Sequence, residues 1–251
     1  GLDAARGEYV YFLDSDDVPR AEALWRLTQA AREKRLDMAK ARFCFLNDET
    51  GELTDGAAIC PTDVLEGGAL LAAQCQSGTY EPMVWQCVYR RAFLLENGLR
   101  MAEGLLFEDE LFQAPALIRA KRAAAFDAVI LEYRQRPGSI MASFAGSAKW
   151  CASYAQVCAR LDALARTLPS GAARAALQRR VGQIALNVGK NIPAYRLPPT
   201  VAGEAMAFLK AHRRELARYA LKSGDAAIAA QGALLLLSPK LFVGMYRRVM
   251  P

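Results

Sequence analysis

The stretch Tyr9-Val10-Tyr11-Phe12-Leu13-Asp14-Ser15-Asp16-Asp17 decides how this chain is read, because five apolar residues run without a break into three carboxylates. An apolar run of that length reads as a strand buried on both faces, the kind found in a parallel sheet between helices. The carboxylates then stand at its carboxyl end, where open α/β sheets place their ligands. An Asp-x-Asp in such a place suits a hard divalent ion, Mg2+ or Mn2+. Such an ion takes one or two protein carboxylates and completes its octahedron with water and substrate phosphates. The structural reading competes: Asp is a good N-cap, and Asp16-Asp17-Val18-Pro19 precedes a helical stretch from Ala21 to Arg35. Capping consumes one carboxylate and leaves two.

Outward from this stretch the chain changes character near residues 143–147. Residues 1–145 carry 16 Lys and Arg against 22 Asp and Glu, a net of −6, while residues 146–251 carry 16 against 4, a net of +12. The first part mixes strands and helices. Strands are expected at Met38 to Leu46, Trp85 to Tyr89, Ala123 to Phe126 and Val129 to Tyr133. Helices are expected from a Thr62 cap to Ser77, in a short piece stopped at Gly98, and at Glu108 to Arg119. The second part reads as all helix: Lys149 to Thr167, Ala172 to Ile192, Thr200 to Tyr219 and Asp225 to Leu237, punctuated by Pro and Gly. Six cysteines without a C-x-x-C pair and a single histidine, His212, argue against a zinc site and suit small buried thiols in a reducing compartment.

Four segments, in order, resemble glycosyltransferase family 2, inverting enzymes of GT-A fold. They are Gly1 to Asp17; Val84-Trp85-Gln86-Cys87-Val88-Tyr89-Arg90-Arg91-Ala92-Phe93-Leu94; Glu103-Gly104-Leu105-Leu106-Phe107-Glu108-Asp109-Glu110; and Tyr133-Arg134-Gln135-Arg136-Pro137-Gly138-Ser139-Ile140. The resemblance spans residues 1–145. It implies a truncated GT-A fold, a Rossmann-like mixed sheet with flanking helices, followed by an all-α region over 146–251. Family members begin with a strand and acidic motifs that hold the nucleotide base and ribose. None is visible here, so the expectation is a fragment of low activity.

The same resemblance implies roles. Asp16 holds the metal, with Asp14 on ribose or a metal-bound water. Asp109 is the base that takes the acceptor hydroxyl proton, Glu108 and Trp85 contact the acceptor, and Arg134 and Arg136 add positive charge at the diphosphate. Flanking acids raise the proton affinity of Asp109 and a helix start lowers it, and the sequence leaves that balance open. The partners implied are a nucleotide-diphosphate sugar and a glycan or lipid-linked acceptor. The expected place is the cytoplasm or the inner face of the membrane. A sugar nucleotidyltransferase would want a Gly-rich phosphate loop, and none is visible.

The basic helical tail has two further readings besides core packing. Residues 222–248 place the apolar stretches Ala226 to Leu237 and Leu241 to Tyr246 between Lys222, Lys240, Arg247 and Arg248, a pattern for peripheral contact with anionic lipid. Each stretch is short of the roughly 18 to 20 residues of a spanning helix. No nucleic-acid motif accompanies the arginines, so nucleic acid is not an expected partner.

Overall fold

The computed structural model describes residues 1–136, 147–194 and 197–249. The boundary expected near residue 145, the loop 137–140 and the side chains of Cys151, Arg247 and Arg248 lie outside the described residues. The chain divides into two compact units, one of Gly1–Ala102 with Asp109–Ser139, the other of Glu103–Glu108 with Ile140–Pro251.

The first unit is a six-stranded mixed sheet with helices. Its elements are β1 (Tyr9–Tyr11), β2 (Val18–Pro19), α1 (Ala21–Glu33), β3 (Met38–Asn47), β4 (Leu53–Asp55), α2 (Gly67–Ser77), β5 (Cys87–Arg90), α3 (Arg91–Glu96), α4 (Glu108–Arg119) and β6 (Ala123–Gln135). The strand order is β1-β5-β3-β6-β2, with β4 on β3. Only β3 and β6 are parallel; the other pairings are antiparallel. The core lies where β3, β5 and β6 meet α1, around Leu27, Phe43, Val88, Ile130 and Leu131. Helix α2 ends at Gly78, whose φ of +72° closes the last turn in a left-handed conformation that a side chain would strain.

Several expectations are corrected here. The Tyr9 run is a strand, but neither fully buried nor parallel: β1 has three residues, all half-buried, and pairs antiparallel with β5 alone among the described strands. Tyr9 and Tyr11 pack against the core beside α1, and Phe12, next in the run, lies edge-on to Tyr89 at 5.7 Å and to Phe112 of α4 at 5.4 Å. Thr62 does not cap a helix. It bonds β6 through both its amide and its hydroxyl, at 3.0 Å each to Ala125, and α2 starts later with Glu66 as the flanking residue. Trp85 sits in a 3-10 turn, Val84–Gln86, before β5 begins. The two strands expected at 123–133 are one, with its register against β3 shifted around Arg42.

The second unit is helical: α5 (Ala148–Thr167), α6 (Ala172–Ala194), α7 (Pro199–Leu221), α8 (Ala226–Leu237) and α9 (Pro239–Val249). Ser147 caps α5 through the Trp150 amide at 3.2 Å, and Asp225 caps α8 through the Ile228 amide at 3.0 Å. Leu161, Leu177, Val181, Ile184, Leu209, Leu235 and Phe242 form its buried interior. A polar clasp ties α5 to α7. The Tyr219 hydroxyl donates to Asp162 at 2.6 Å, and Arg166 pairs with both Asp162 and Glu215. No helix among the described residues is long and apolar enough to cross a membrane.

Candidate active site

Antiparallel pairing builds the site. Val18 stands opposite Glu132 and Pro19 opposite Leu131, so each step back along the chain from β2 meets a step forward along β6. That register leads the Asp14 to Asp17 turn towards Arg134 and Arg136, which share a face because strand side chains alternate.

The contacts follow. Arg134 donates its backbone amide to Asp17 Oδ1 at 2.9 Å and its Nε to the Asp16 carbonyl at 2.8 Å, and its guanidinium also pairs with Asp48. Arg136 Nη2 lies 2.8 Å from Asp16 Oδ2. Asp17 is buried, its Oδ2 has no hydrogen-bond partner among the described residues, and burial together with the nearby Asp14 and Asp16 pushes its carboxyl up to about 6 against the Arg134 amide. Burial raises Asp14 as well, with Asp16 adding to it. Burial raises the phenols of Tyr11 and Tyr133 first; Cys87 and then Asp17 and Asp14 add to it at Tyr11, and Asp17, Asp14 and Asp16 at Tyr133.

Asp109 is the second residue of α4 and is half-buried. Its Oδ2 accepts a long hydrogen bond, 3.4 Å, from the Val84 amide. Behind it the Tyr89 hydroxyl donates to Gln113 Oε1 at 2.6 Å, and Gln113 Nε2 reaches Cys87 Sγ at 3.1 Å. Phe12 touches both Tyr89 and Phe112, so the segment that leads from β1 to Asp14 and the helix that carries Asp109 share one packing contact. Glu108, the first residue of α4, is half-buried and groups with the helical unit, not with the sheet. Before it, Phe107 has a φ of +63°, a strained conformation for a non-glycine residue. Its ring lies 4.0 Å from that of Tyr154 and 4.7 Å from that of Trp150, contacts that anchor the strained residue.

Trp85 does not present an open face. It is 5% exposed, stacked on Tyr133 at 5.3 Å and edge-on to Phe43 at 4.9 Å. Among the described residues no group of three or more metal-ligating side chains is assembled. Asp14, which is exposed, and Asp16, half-buried and paired with Arg136, nevertheless offer the one or two carboxylates that Mg2+ or Mn2+ asks of a protein, so the donor set fits such an ion. Sequence reasoning missed Asp17 and Asp48 as partners of Arg134. Their signal, acids at the ends of β-elements opposite a basic strand end, needs the register to be visible.

Residues 1–92 match the family described as Glycosyl transferase family 2. This stretch is similar to family 2 glycosyl transferases. The glycosyltransferase YibD of Escherichia coli (strain K12) is 31% identical over 141 residues, 53% of this chain and 40% of that protein. EpsJ of Bacillus subtilis (strain 168), also described as a glycosyltransferase, is 28% identical over 149 residues, 56% of this chain and 41% of its own length. The chain therefore spans about two fifths of the curated relatives it matches. A crystal structure of S. aureus TarS in complex with UDP-GlcNAc aligns with 99% of this chain and 68% of its own, at 17% identity and a TM-score of 0.67. That likeness shows the fold: a GT-A-like mixed sheet with a helical carboxyl-terminal part. The family match takes in the Asp14 to Asp17 turn and Trp85 but ends before Asp109.

Proposed function

We propose that this chain belongs to an inverting, metal-dependent glycosyltransferase that moves a sugar from a nucleotide-diphosphate sugar to a glycan or lipid-linked acceptor in cell-surface polysaccharide synthesis, working in the cytoplasm. The observation that carries the reading is the lacing of an Asp-x-Asp turn to Arg134 at the end of β6 and Arg136 just beyond it, with a half-buried carboxylate, Asp109, on the helix α4 against which Phe12, just upstream of that turn, packs. A UDP-sugar is the donor class to try first, since TarS binds UDP-GlcNAc in its crystal structure.

In this reading Asp16 and Asp14 hold Mg2+ or Mn2+, which when bound neutralises the charge that grows on the departing diphosphate. Arg136 and Arg134 add a cationic edge beside it, and guanidinium is well suited to phosphate oxygens. Asp109 accepts the proton of the acceptor hydroxyl as that oxygen attacks the anomeric carbon from the face opposite the leaving diphosphate. Glu108 takes an acceptor contact. Trp85 supports Tyr133, and through it the end of β6, from behind.

Calorimetric titration of UDP into the protein with Mn2+ tests the donor half of this proposal. Binding that Asp16→Ala abolishes and Asp109→Asn leaves unchanged is expected. Sugar transfer from a UDP-sugar donor is expected to fall by at least about a hundredfold in Asp109→Asn, the loss typical of a missing general base. Full turnover in that variant removes Asp109 as the base, and UDP binding that needs no Mn2+ and survives Asp16→Ala removes the metal-held diphosphate from the reading.

A further inference from the structure

The helical unit exposes apolar surface where its own charge would predict a polar one. Of the eight large hydrophobic side chains exposed among the described residues, five lie between 221 and 245. Leu237 is 74% exposed and Leu241 59%, with Leu236 and Met245 also open. These four flank the corner where α8 passes through Ser238 into α9, and Lys240 stands exposed between them. Leu241 and Met245 are four apart and so share one face of α9. Neither helix uses these residues for its core, which takes Leu235, Phe242 and Val243 instead.

A basic cleft accompanies this ridge. Lys210, Arg213, Arg214 and Arg218 of α7 line an open cavity of about 500 Å³ together with His212 and Glu215, the latter paired with Arg166. The short link after α7 turns α8 back along it: a Cβ added at Gly232 would lie 2.6 Å from Ala220 Cβ and 3.2 Å from the Ala217 carbonyl oxygen. One further turn along α8 is one turn back along α7, which brings Leu236 and Leu237 level with Arg213 and Arg214. Leucines beside guanidinium groups satisfy two demands at once. The leucines need an apolar medium, and the arginines need anions at the boundary of that medium.

We infer that the α8–α9 corner is a membrane-docking wedge that inserts Leu237 and Leu241 among the acyl chains of an anionic bilayer while Lys240, Arg213 and Arg214 hold lipid phosphates. This goes beyond the sugar-transfer reading and does not depend on it. A second copy of the chain is the less suitable occupant. The region from 146 onward carries 16 Lys and Arg against 4 Asp and Glu, so two such surfaces repel. A handful of side chains also falls short of the roughly 800 Å² per partner of a stable protein interface. The contact is one of insertion at the interface, since no described helix can span a bilayer.

Flotation of the full 251-residue chain with vesicles of about 30% phosphatidylglycerol in phosphatidylcholine, against phosphatidylcholine alone, tests the wedge. Binding to the anionic vesicles only, lost at about 1 M salt, is expected. Leu237→Asp with Leu241→Asp should weaken it at least about tenfold, and Arg213→Gln with Arg214→Gln by about fivefold per charge removed. All four side chains lie outside the buried core, so circular dichroism and the melting temperature should match the parent and show that folding is intact. Absence of binding to anionic vesicles overturns the inference, as does binding that neither variant weakens. A concentration-dependent dimer in light scattering that Leu237→Asp dissolves would assign the surface to a second copy and equally overturn it.

Discussion

Asp16 is held by two different groups of the molecule: its carbonyl by Arg134 and its carboxylate by Arg136, at 2.8 Å each. The second contact places a fixed cation where the proposed site wants a divalent one. Arg136 and a metal ion therefore compete for the same oxygen, and the arginine is exposed enough to swing away. An exposed pair of this kind is worth no more than about 1 kcal/mol. Arg136→Ala should accordingly tighten Mn2+ binding by a few-fold when no nucleotide is present. In the presence of Mn2+ it should loosen UDP, because the freed guanidinium can no longer reach a phosphate. Calorimetry with Mn2+ alone and then with UDP reads both steps, and weaker Mn2+ binding in the variant would show that Arg136 positions Asp16 instead of competing for it. Asp17, by contrast, is a buried neighbour bound to the Arg134 amide, and Asp37 is a purely structural acid. Asp37 accepts two hydrogen bonds from Arg90 and one from each of the Lys121 and Arg122 amides.

At the level of elements, the clasp between α5 and α7 gives a pH-dependent prediction. Burial, the hydrogen bond to Asp162 and the charges of Asp162 and Glu215 raise the Tyr219 phenol well above its ordinary value of 10.0. The folded chain thus holds this proton more tightly than the unfolded chain does. Its stabilising contribution is complete below pH 10 and is lost as pH climbs beyond that value, where unfolding releases the proton. Tyr219→Phe should cost about 1 to 2 kcal/mol at pH 7, because Asp162 loses a donor but keeps Arg166. The difference between the two proteins in urea unfolding should shrink above pH 10, and a constant difference would mean that the hydroxyl carries no linkage. The helices themselves were legible because their signals are local: Asp225 before an apolar run, Gly98 and Gly224 after turns, and amphipathic spacing throughout. The strands were less so. Tyr9 to Leu13 is as apolar as a central strand, yet β1 stands at the edge of the described sheet, since apolar content records burial without recording which neighbour supplies it. Thr62 resembles a cap in sequence and serves instead as a rung on β6, a pairing 63 residues away.

For the whole molecule, the break in charge near residue 145 lies close to the division into two compact units, which long-range contacts redraw in one respect. The helical unit includes Glu103–Glu108, drawn in by Phe107 against Trp150 and Tyr154 and by the Leu106 amide on Ser153 at 3.1 Å. No composition window could assign six residues from the acidic half to the basic one, because the assignment rests on an aromatic contact more than 40 positions away. The ordered motifs singled out the Asp14 to Asp17 turn and Asp109. Arginine register and the burial of Trp85 required the fold. Each unit also has a separate hydrophobic interior, Phe43 and Leu131 in one, Leu177 and Leu209 in the other, all at most 2% exposed. Truncation of a buried leucine removes apolar contact and leaves a cavity, at a cost of about 2 to 5 kcal/mol. Leu177→Ala should therefore lower the protection of α6 and α7 amides in native-state hydrogen exchange by that amount and leave β3 and β6 near their original values. Phe43→Ala should do the reverse. An equal loss of protection in all four elements for either variant would show instead that the two interiors unfold as one cooperative unit.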